Sequence, residues 1–304
     1  MAVAAGHKFG QDLGNFLEEV VLKDILRPKL VEYTAELGYY LDYQMDRPAR
    51  GGKKVVWEDK YGNSHSLDFV IEAGGDKDTI GQPVAFIESA WRRYTKHSKN
   101  KAQEIQGAIL PIVEKHLTDA PFVGVVLAGE FTRPSITQLK SQNFSVIHIP
   151  YQVIVTSFRA IGVELEFDES TDDADFLRAS AEIKQLKPAE VDELRAGICA
   201  QCQQDIDEFM CTLHDVLRRH VEEISVRPVW GEERRGTSIG DAEKALASID
   251  LAQPRGTFIR FEVAVRYSNG DTIQANFETR DEAGEFLERL VARQPKSPGA
   301  ASRN

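Results

Sequence analysis

Two acidic residues, Asp68 and Glu88, lie in neighbouring strand-like stretches and could bind one metal ion together. Asp68 lies in SHSLDFVIE and Glu88 in PVAFIESA, and the polar, glycine-bearing GGDKDTIGQ connects them. If the strands pair antiparallel with Val70 opposite Phe86, the two acids face each other with Cβ atoms about 5 Å apart. A register shifted by one residue would separate them onto opposite faces of the sheet.

Two carboxylates placed side by side repel each other, so a sheet tolerates them only with a cation between them or with a raised pKa. Mg²⁺ typically takes one or two carboxylates together with water and phosphate oxygens. The alternative is a structural salt bridge in which Arg92 or Arg93 neutralises the acids, since structural ion pairs perturb such sites as well. The spacing of the acids leaves both interpretations open.

The segment that follows, WRRYTKHSKNK at residues 91–101, is the most cationic window of an otherwise acidic chain. It interleaves aromatic residues with Arg92, Arg93, Lys96, Lys99 and Lys101. Cations beside a metal site would hold the phosphates of a nucleic acid. An ordinary solvated run of charge is the alternative. The segment leaves a predicted strand and enters a helix, which is where ligands of α/β sheets tend to bind.

The surrounding pattern predicts an α/β fold with a mixed central sheet flanked by helices. N-terminal helices precede strand-like YYLDYQM and a hairpin that turns at residues 61–63. A helix follows the basic segment, with Ala102, Ile105, Ile109 and Ile112 as its buried stripe. PFVGVVLAGEF and FSVIHIP are nearly all apolar, which is typical of strands covered on both faces, and SITQLKSQ between them predicts a crossover helix.

The second half of the chain predicts a long helix and then a small α+β module. An apolar stripe continues through residues 188–221, so this helix needs either the first domain or a second copy of itself as a partner. We therefore consider a homodimer through this helix. An Asn-Gly hairpin signal at 269–270 lies inside a βαββα pattern. The predicted boundaries are 1–165 for the α/β core, 166–222 for the helical segment, 223–295 for the module and 296–304 for a disordered tail.

Composition limits the function classes. The chain has 304 residues and a formal net charge of −11, which argues against a protein that coats nucleic acid but not against a local basic surface. No apolar run is long enough for a transmembrane helix, and no signal peptide is evident, so we expect a cytoplasmic protein without membrane contact. Three cysteines fit a reducing compartment. Cys199, Cys202, Cys211 and His214 mimic zinc spacing but spread around one continuous helix, which disfavours a zinc site.

The acids, the strand that carries Glu88-Ser89-Ala90 and the helix after it resemble the PD-(D/E)xK nuclease superfamily over residues 9–150. The resemblance implies a restriction-endonuclease-like core in which Asp68 and Glu88 hold Mg²⁺, with Mn²⁺ as a substitute. Family members often add an acid from the N-terminal helix, which Glu18 or Glu19 would supply, with Glu19 assigned as the further ligand. Many family members also have a glutamine on the helix after the third strand, and Gln103 would match it.

The chain departs from the family pattern at Ala90, which stands where the family has its lysine. Alanine cannot polarise water, so either another cation acts there or the site is inactive. Lys96, Lys99, Gln103 and Gln106 fall on one helical stripe if the helix starts early, and Arg93 is a further candidate. The resemblance thus implies an Mg²⁺-dependent endonuclease that cleaves DNA, with RNA less favoured, in restriction or defence. The alternative is a catalytically inactive nuclease-like module that binds nucleic acid or protein.

Overall fold

The computed structural model describes residues 5–94, 98–168, 171–230, 234–252 and 257–292. Its α-helices are Ala5–Leu17 (α1), Arg27–Leu37 (α2), Ser98–Lys115 (α3), Arg133–Ser141 (α4), Tyr151–Ala160 (α5), Asp173–Lys184 (α6), Pro188–Leu217 (α7), Ile239–Ala247 (α8) and Arg280–Ala292 (α9). Its strands are Tyr40–Tyr43 (β1), Val55–Glu58 (β2), Ser64–Leu67 (β3), Phe69–Ala73 (β4), Gln82–Arg92 (β5), Phe122–Gly129 (β6), Ser145–Pro150 (β7), Val221–Pro228 (β8), Arg234–Gly236 (β9), Phe261–Tyr267 (β10) and Thr272–Phe277 (β11). A π-helical segment, Glu18–Leu26, joins α1 to α2.

The central sheet has five strands in the order β1-β4-β5-β6-β7. Its first three strands are antiparallel, whereas β5, β6 and β7 run parallel because α3 and α4 provide the crossovers. The prediction of a mixed α/β sheet flanked by helices, with a long helix and a small later sheet, is confirmed. The predicted register is confirmed as well, since Val70 lies opposite Phe86.

The stretch SHSLDFVIE was predicted as one strand, but the structure divides it at Asp68. The residues before Asp68 form β3, which pairs only with β2 in a two-stranded sheet, and the residues after it form β4 of the central sheet. Strand β5 continues past the end of β4, whose last pair on that side is Phe69 with Ile87. The carboxyl end of β5 is therefore paired with β6 alone, and one side of it is open to other groups.

Separate apolar clusters cover the two faces of this sheet. On one face α1, the π-helical segment, α5, α6 and α7 pack together. On the other face α3, α4 and the β2–β3 hairpin pack on alternate residues that include Val70, Phe86 and Ala90. Because side chains alternate along a strand, Glu88 belongs to the same face as Phe86 and Ala90. The α3 helix thus lies over the acids.

A buried charge network closes the loop between β1 and β2. The Arg47 guanidinium donates to both oxygens of Glu72 at 2.7 and 2.9 Å and lies 2.8 Å from Asp42. Arg50 donates to the other side of Asp42 at 2.8 and 2.9 Å. The side chains of Arg47, Asp42 and Glu72 are fully enclosed, so each charge depends on its partners in place of water.

The long helix α7 packs its apolar stripe against the central sheet of its own chain. Residues such as Leu194, Ile198 and Phe209 are buried in the same cluster as α1 and α5. Of the two partners considered from the sequence, the first domain is therefore the one in contact. The homodimer through residues 188–221 stays a prediction, and this stripe no longer supplies a reason for it.

Residues from Val221 onward form a second sheet, in the order β11-β10-β8-β9, with α8 and α9 on one face and an apolar cluster between them. The short strand β9 is an addition to the predicted βαββα pattern. Arg219 joins this module to the first sheet, because its guanidinium binds the Asp271 carboxylate at 2.5 Å and the Ala120 carbonyl at 2.7 Å. The described helices include none that is both long and apolar enough to cross a membrane.

Candidate functional site

Asp68 lies at the break between β3 and β4 and binds the exposed edge of β5. Its Oδ2 atom accepts hydrogen bonds from the Ser89 backbone N–H at 2.8 Å and from the Ser89 hydroxyl at 2.7 Å. The Ser89 amide lies beyond the last β4–β5 pair, so the carboxylate replaces a missing partner strand. Burial nevertheless raises the pKa of Asp68, although the Ser89 bonds and the charge of Lys101 act in the opposite direction.

Glu88 is the most perturbed acid of the site. Burial, and then the charge of Asp68, raise its pKa to about 8, while Lys101 lowers it. Its Oε2 atom is enclosed and has no hydrogen-bond partner among the described residues. A carboxylate oxygen without a partner is costly inside a protein. Glu88 is therefore poised to take either a proton or a cation.

The third acid of the cluster is Glu18, whereas Glu19 was the acid assigned from the sequence. Glu18 is the first residue of the π-helical segment, and burial and the charge of Asp68 raise its pKa. The Glu19 side chain is exposed and pairs with Lys23 one turn later. The assignment of Glu19 as a metal ligand stays a prediction, and Glu18 is the acid whose pKa the charge of Asp68 raises. A π-helical turn, which often occurs at functional sites, changes the phase of the helix at this point.

Lys101 lies on α3, and its positive charge lowers the pKa of both Asp68 and Glu88. It also lies 3.4 Å from Glu104. Lys99 and Gln103, assigned from the sequence, are exposed on α3. The predicted stripe failed because the buried face of α3, which carries Ala102 and Ile105, leaves Lys99 and Gln103 exposed and Lys101 half-buried. Lys96, the other assigned lysine, lies outside the described residues.

The two arginines at the end of β5 differ in environment. Arg92 is partly exposed and lies 3.5 Å from Glu104. Arg93 is buried, with its guanidinium carbon 4.5 to 5.0 Å from the ring centroids of Phe9, Tyr94 and Phe176. Within the described part of the chain, neither arginine forms an ion pair with Asp68 or Glu88, so the structural salt bridge considered above is not formed.

A cleft of about 480 Å³ opens beside these groups, between α1 and the end of β5. Glu18, Ser89 and Lys101 line one part of it, and Arg92, Arg93 and Tyr94 line another. Helix α1 presents Gly6, Gly10 and Gly14 to the cleft, and at Gly14 an added Cβ would lie 2.6 Å from the Trp91 ring. The glycine face therefore lets the strand end approach α1 closely.

The residues present fit a hard divalent cation of the Mg²⁺ type. The donor set is carboxylate oxygen, and the unpartnered Oε2 of Glu88 is the atom that most needs a cation. Among the residues that the structure describes, no group of three or more His, Cys, Asp or Glu lies close enough to hold a metal ion. Two protein carboxylates completed by water and phosphate oxygens are the usual arrangement for Mg²⁺. The cysteines of α7 are free thiols.

A signal for Lys101 and Glu18 was present in the sequence. On α3 the buried stripe of Ala102, Ile105 and Ile109 fixes the helix face, and Lys101 is four residues before Ile105. On α1 the glycines recur at every fourth position, and Glu18 continues that line. Phasing each helix from its buried or glycine face, instead of from its charges, would have selected both residues.

Comparison with known proteins gives no functional assignment. No family model matches the chain, and no curated protein matches it. A solved structure, that of a protein of unknown function designated AF1548, is similar to 58% of this chain and 96% of its own, with 11% sequence identity and a TM-score of 0.27.

Proposed function

We propose that this protein is a metal-dependent nuclease that hydrolyses phosphodiester bonds of DNA at the carboxyl end of β5. The observation that carries the proposal is that Asp68 is hydrogen-bonded to Ser89, the residue next to Glu88, at the wall of a cleft that Ser89, Glu18 and Lys101 line. Perturbed acids next to a cation in a cleft are typical of catalytic sites. The polarity and location of the site support a reaction on an anionic substrate, with restriction or defence as the expected biological setting.

Asp68 and Glu88 would hold the metal ion, with Glu18 positioned to bind a water molecule of its hydration shell. Bound there, Mg²⁺ would supply an activated water and neutralise charge on the scissile phosphate. Ser89 fixes the orientation of Asp68 through two hydrogen bonds, so the carboxylate needs little rearrangement when it binds the metal. This preorganisation supports the assignment of Asp68 as the principal ligand.

Lys101 would replace the lysine that the resemblance places at Ala90. Both residues face the same side of β5, and both line the cleft. The small Ala90 side chain leaves the space above Glu88 to a side chain that arrives from α3. A Lys101 ammonium there would orient the attacking water and stabilise negative charge as it develops. Arg92, which is partly exposed, would hold a neighbouring phosphate.

Cleavage of supercoiled plasmid in Mg²⁺ tests this function. We expect cleavage by the wild type, and a loss of about 100-fold or more for Asp68→Asn, for Glu88→Gln and for Lys101→Met, because each removes a charge on which the reaction depends. Lys115→Met is the matched control, since Lys115 lies at the far end of α3 and pairs with an exposed glutamate. Full activity in the Asp68→Asn variant would refute the proposal.

A non-catalytic nuclease-like protein that binds nucleic acid or another protein remains the second candidate, favoured by Ala90 at the lysine position. The two functions give different results in the same experiment. A non-catalytic binder would retain DNA in a gel-shift assay but leave it intact with Mg²⁺ or Mn²⁺ at every pH tested. A catalytic protein would cleave DNA, and Lys101→Met would separate binding from cleavage.

A further inference from the structure

The part of the cleft away from the acids has features that the metal site does not require. Gly10 lies at its wall, and a Cβ built on Gly10 meets no atom within 4 Å, so the space in front of this helix face is open. The Trp91 ring forms another part of the wall and is held by a hydrogen bond from its Nε1 to the Gly10 carbonyl at 3.0 Å. The indole packs against α1 at Gly14, and the uncovered helix surface beside it at Gly10 forms a slot with room for a flat group.

Arg93 supplies the second observation. It is 8% exposed and lines the same cleft. Its Nη1 donates to the Gly6 carbonyl at 3.2 Å, but its Nη2 and Nε have no hydrogen-bond partner among the described residues. A buried guanidinium that is satisfied only in part is costly. Aromatic rings hold it in place, and its free N–H groups suit the oxygens of a phosphate.

We propose that this cleft binds one unpaired nucleotide of the substrate, with its phosphate on Arg93 and its base in the slot beside Trp91. The inference rests on the proposed function, because the nucleotide would lie next to the bond that is cleaved. The cleft volume of about 480 Å³ is within the range of sites for single small molecules and suits one nucleotide rather than a stacked duplex. Bases bind aromatic rings without sequence preference once they are unstacked. The substrate class is therefore DNA with a frayed or single-stranded nucleotide at the cleavage site.

Isothermal titration with thymidine 5′-monophosphate tests this subsite. Thymidine and inorganic phosphate are titrated in parallel, and EDTA is present so that neither metal nor cleavage contributes. We expect a Kd of about 1 mM or tighter for the nucleotide, and binding at least about tenfold weaker for each of its two parts. This order follows if the phosphate and the base are bound at the same time.

Gly10→Leu should weaken nucleotide binding by about tenfold or more, because the new side chain fills the open slot while the helix retains its backbone. Gly107→Leu is the matched control, since Gly107 is also helical, exposed and free of neighbours within 4 Å, but lies on α3. Arg93→Gln should weaken nucleotide binding as well. If this variant fails to fold, Gly10→Leu still decides the question.

The inference would be overturned if the nucleotide does not bind, if phosphate alone binds as tightly as the nucleotide, or if Gly10→Leu binds like Gly107→Leu. Failure of the proposed function gives a different pattern, in which the nucleotide binds in EDTA with the expected variant effects but no DNA is cleaved in Mg²⁺. Cleavage without nucleotide binding would instead leave the nuclease function intact and remove the subsite.

Discussion

Replacement of Glu88 by glutamine should make the protein more stable at pH 8 and above while changing little at pH 5. Burial and the charge of Asp68 raise the pKa of the Glu88 carboxyl to about 8 in the folded chain, from an ordinary value of 4.5. Between these values the unfolded state ionises and the folded state keeps its proton, so folding stability falls as pH rises. Glutamine resembles the protonated acid in shape and does not titrate.

The size of the effect follows from the shift. Each unit of pKa difference corresponds to about 1.4 kcal/mol, so the wild type should lose about 2 kcal/mol between pH 6 and pH 8 that Glu88→Gln does not lose. None of this stability is lost below the unfolded-state pKa, and the loss is complete above the folded-state pKa. Mg²⁺ should restore the stability of the wild type at pH 8, because it binds the ionised carboxylate of the folded state.

Urea denaturation followed by circular dichroism at pH 6, 7, 8 and 9, with EDTA or with Mg²⁺, measures this dependence. Glu193→Gln is the control. It makes the same chemical change at a residue that is exposed on α7, outside the site. Parallel stability curves for the wild type and Glu88→Gln would refute the account of Glu88 as a buried acid forced toward neutrality by Asp68. A stabilisation by Mg²⁺ that persists in Glu88→Gln would refute its role as a ligand.

Four further substitutions test the packing that supports the site. Gly14→Ala should destabilise the protein by about 1–3 kcal/mol in urea denaturation, because its Cβ would lie 2.6 Å from the Trp91 ring, whereas Gly10→Ala, with no atom nearby, should stabilise it by up to about 1 kcal/mol. Arg47→Met should cost about 3–5 kcal/mol by the same measurement, because it leaves two enclosed carboxylates with less compensation. Arg219→Ala should loosen the C-terminal module, seen as faster limited proteolysis near residue 220, because it removes the contacts to Asp271 and Ala120.

Much of the central sheet was predictable from local pattern. The register that pairs Val70 with Phe86 is the simplest antiparallel pairing of the two strand-like stretches, and the structure has it. The crossover helix α4 followed from two apolar strands that must be parallel. The break at Asp68 was missed, because its cause is a hydrogen bond from Ser89, a residue 21 positions away.

The candidate site was predictable in its acids but not in its cations. Asp68 directly precedes β4 and Glu88 lies on β5, so the pairing of these two strands brings the acids close without reference to the rest of the chain. The environment of Arg93, by contrast, could not be predicted from neighbouring residues. Its burial depends on aromatic rings from α1 and α6, which are far from it in sequence.

The sequence by itself determined which residue types were available and which faces of the strands they occupy, because period-two alternation is a local property. Only the tertiary structure decided which groups meet at the end of β5. The packing of α3 placed Lys101, rather than Lys99, near the acids, and the packing of α1 placed Glu18 near them. Each choice depends on the phase of a helix, which is fixed by packing against the sheet rather than by the charges that the helix carries.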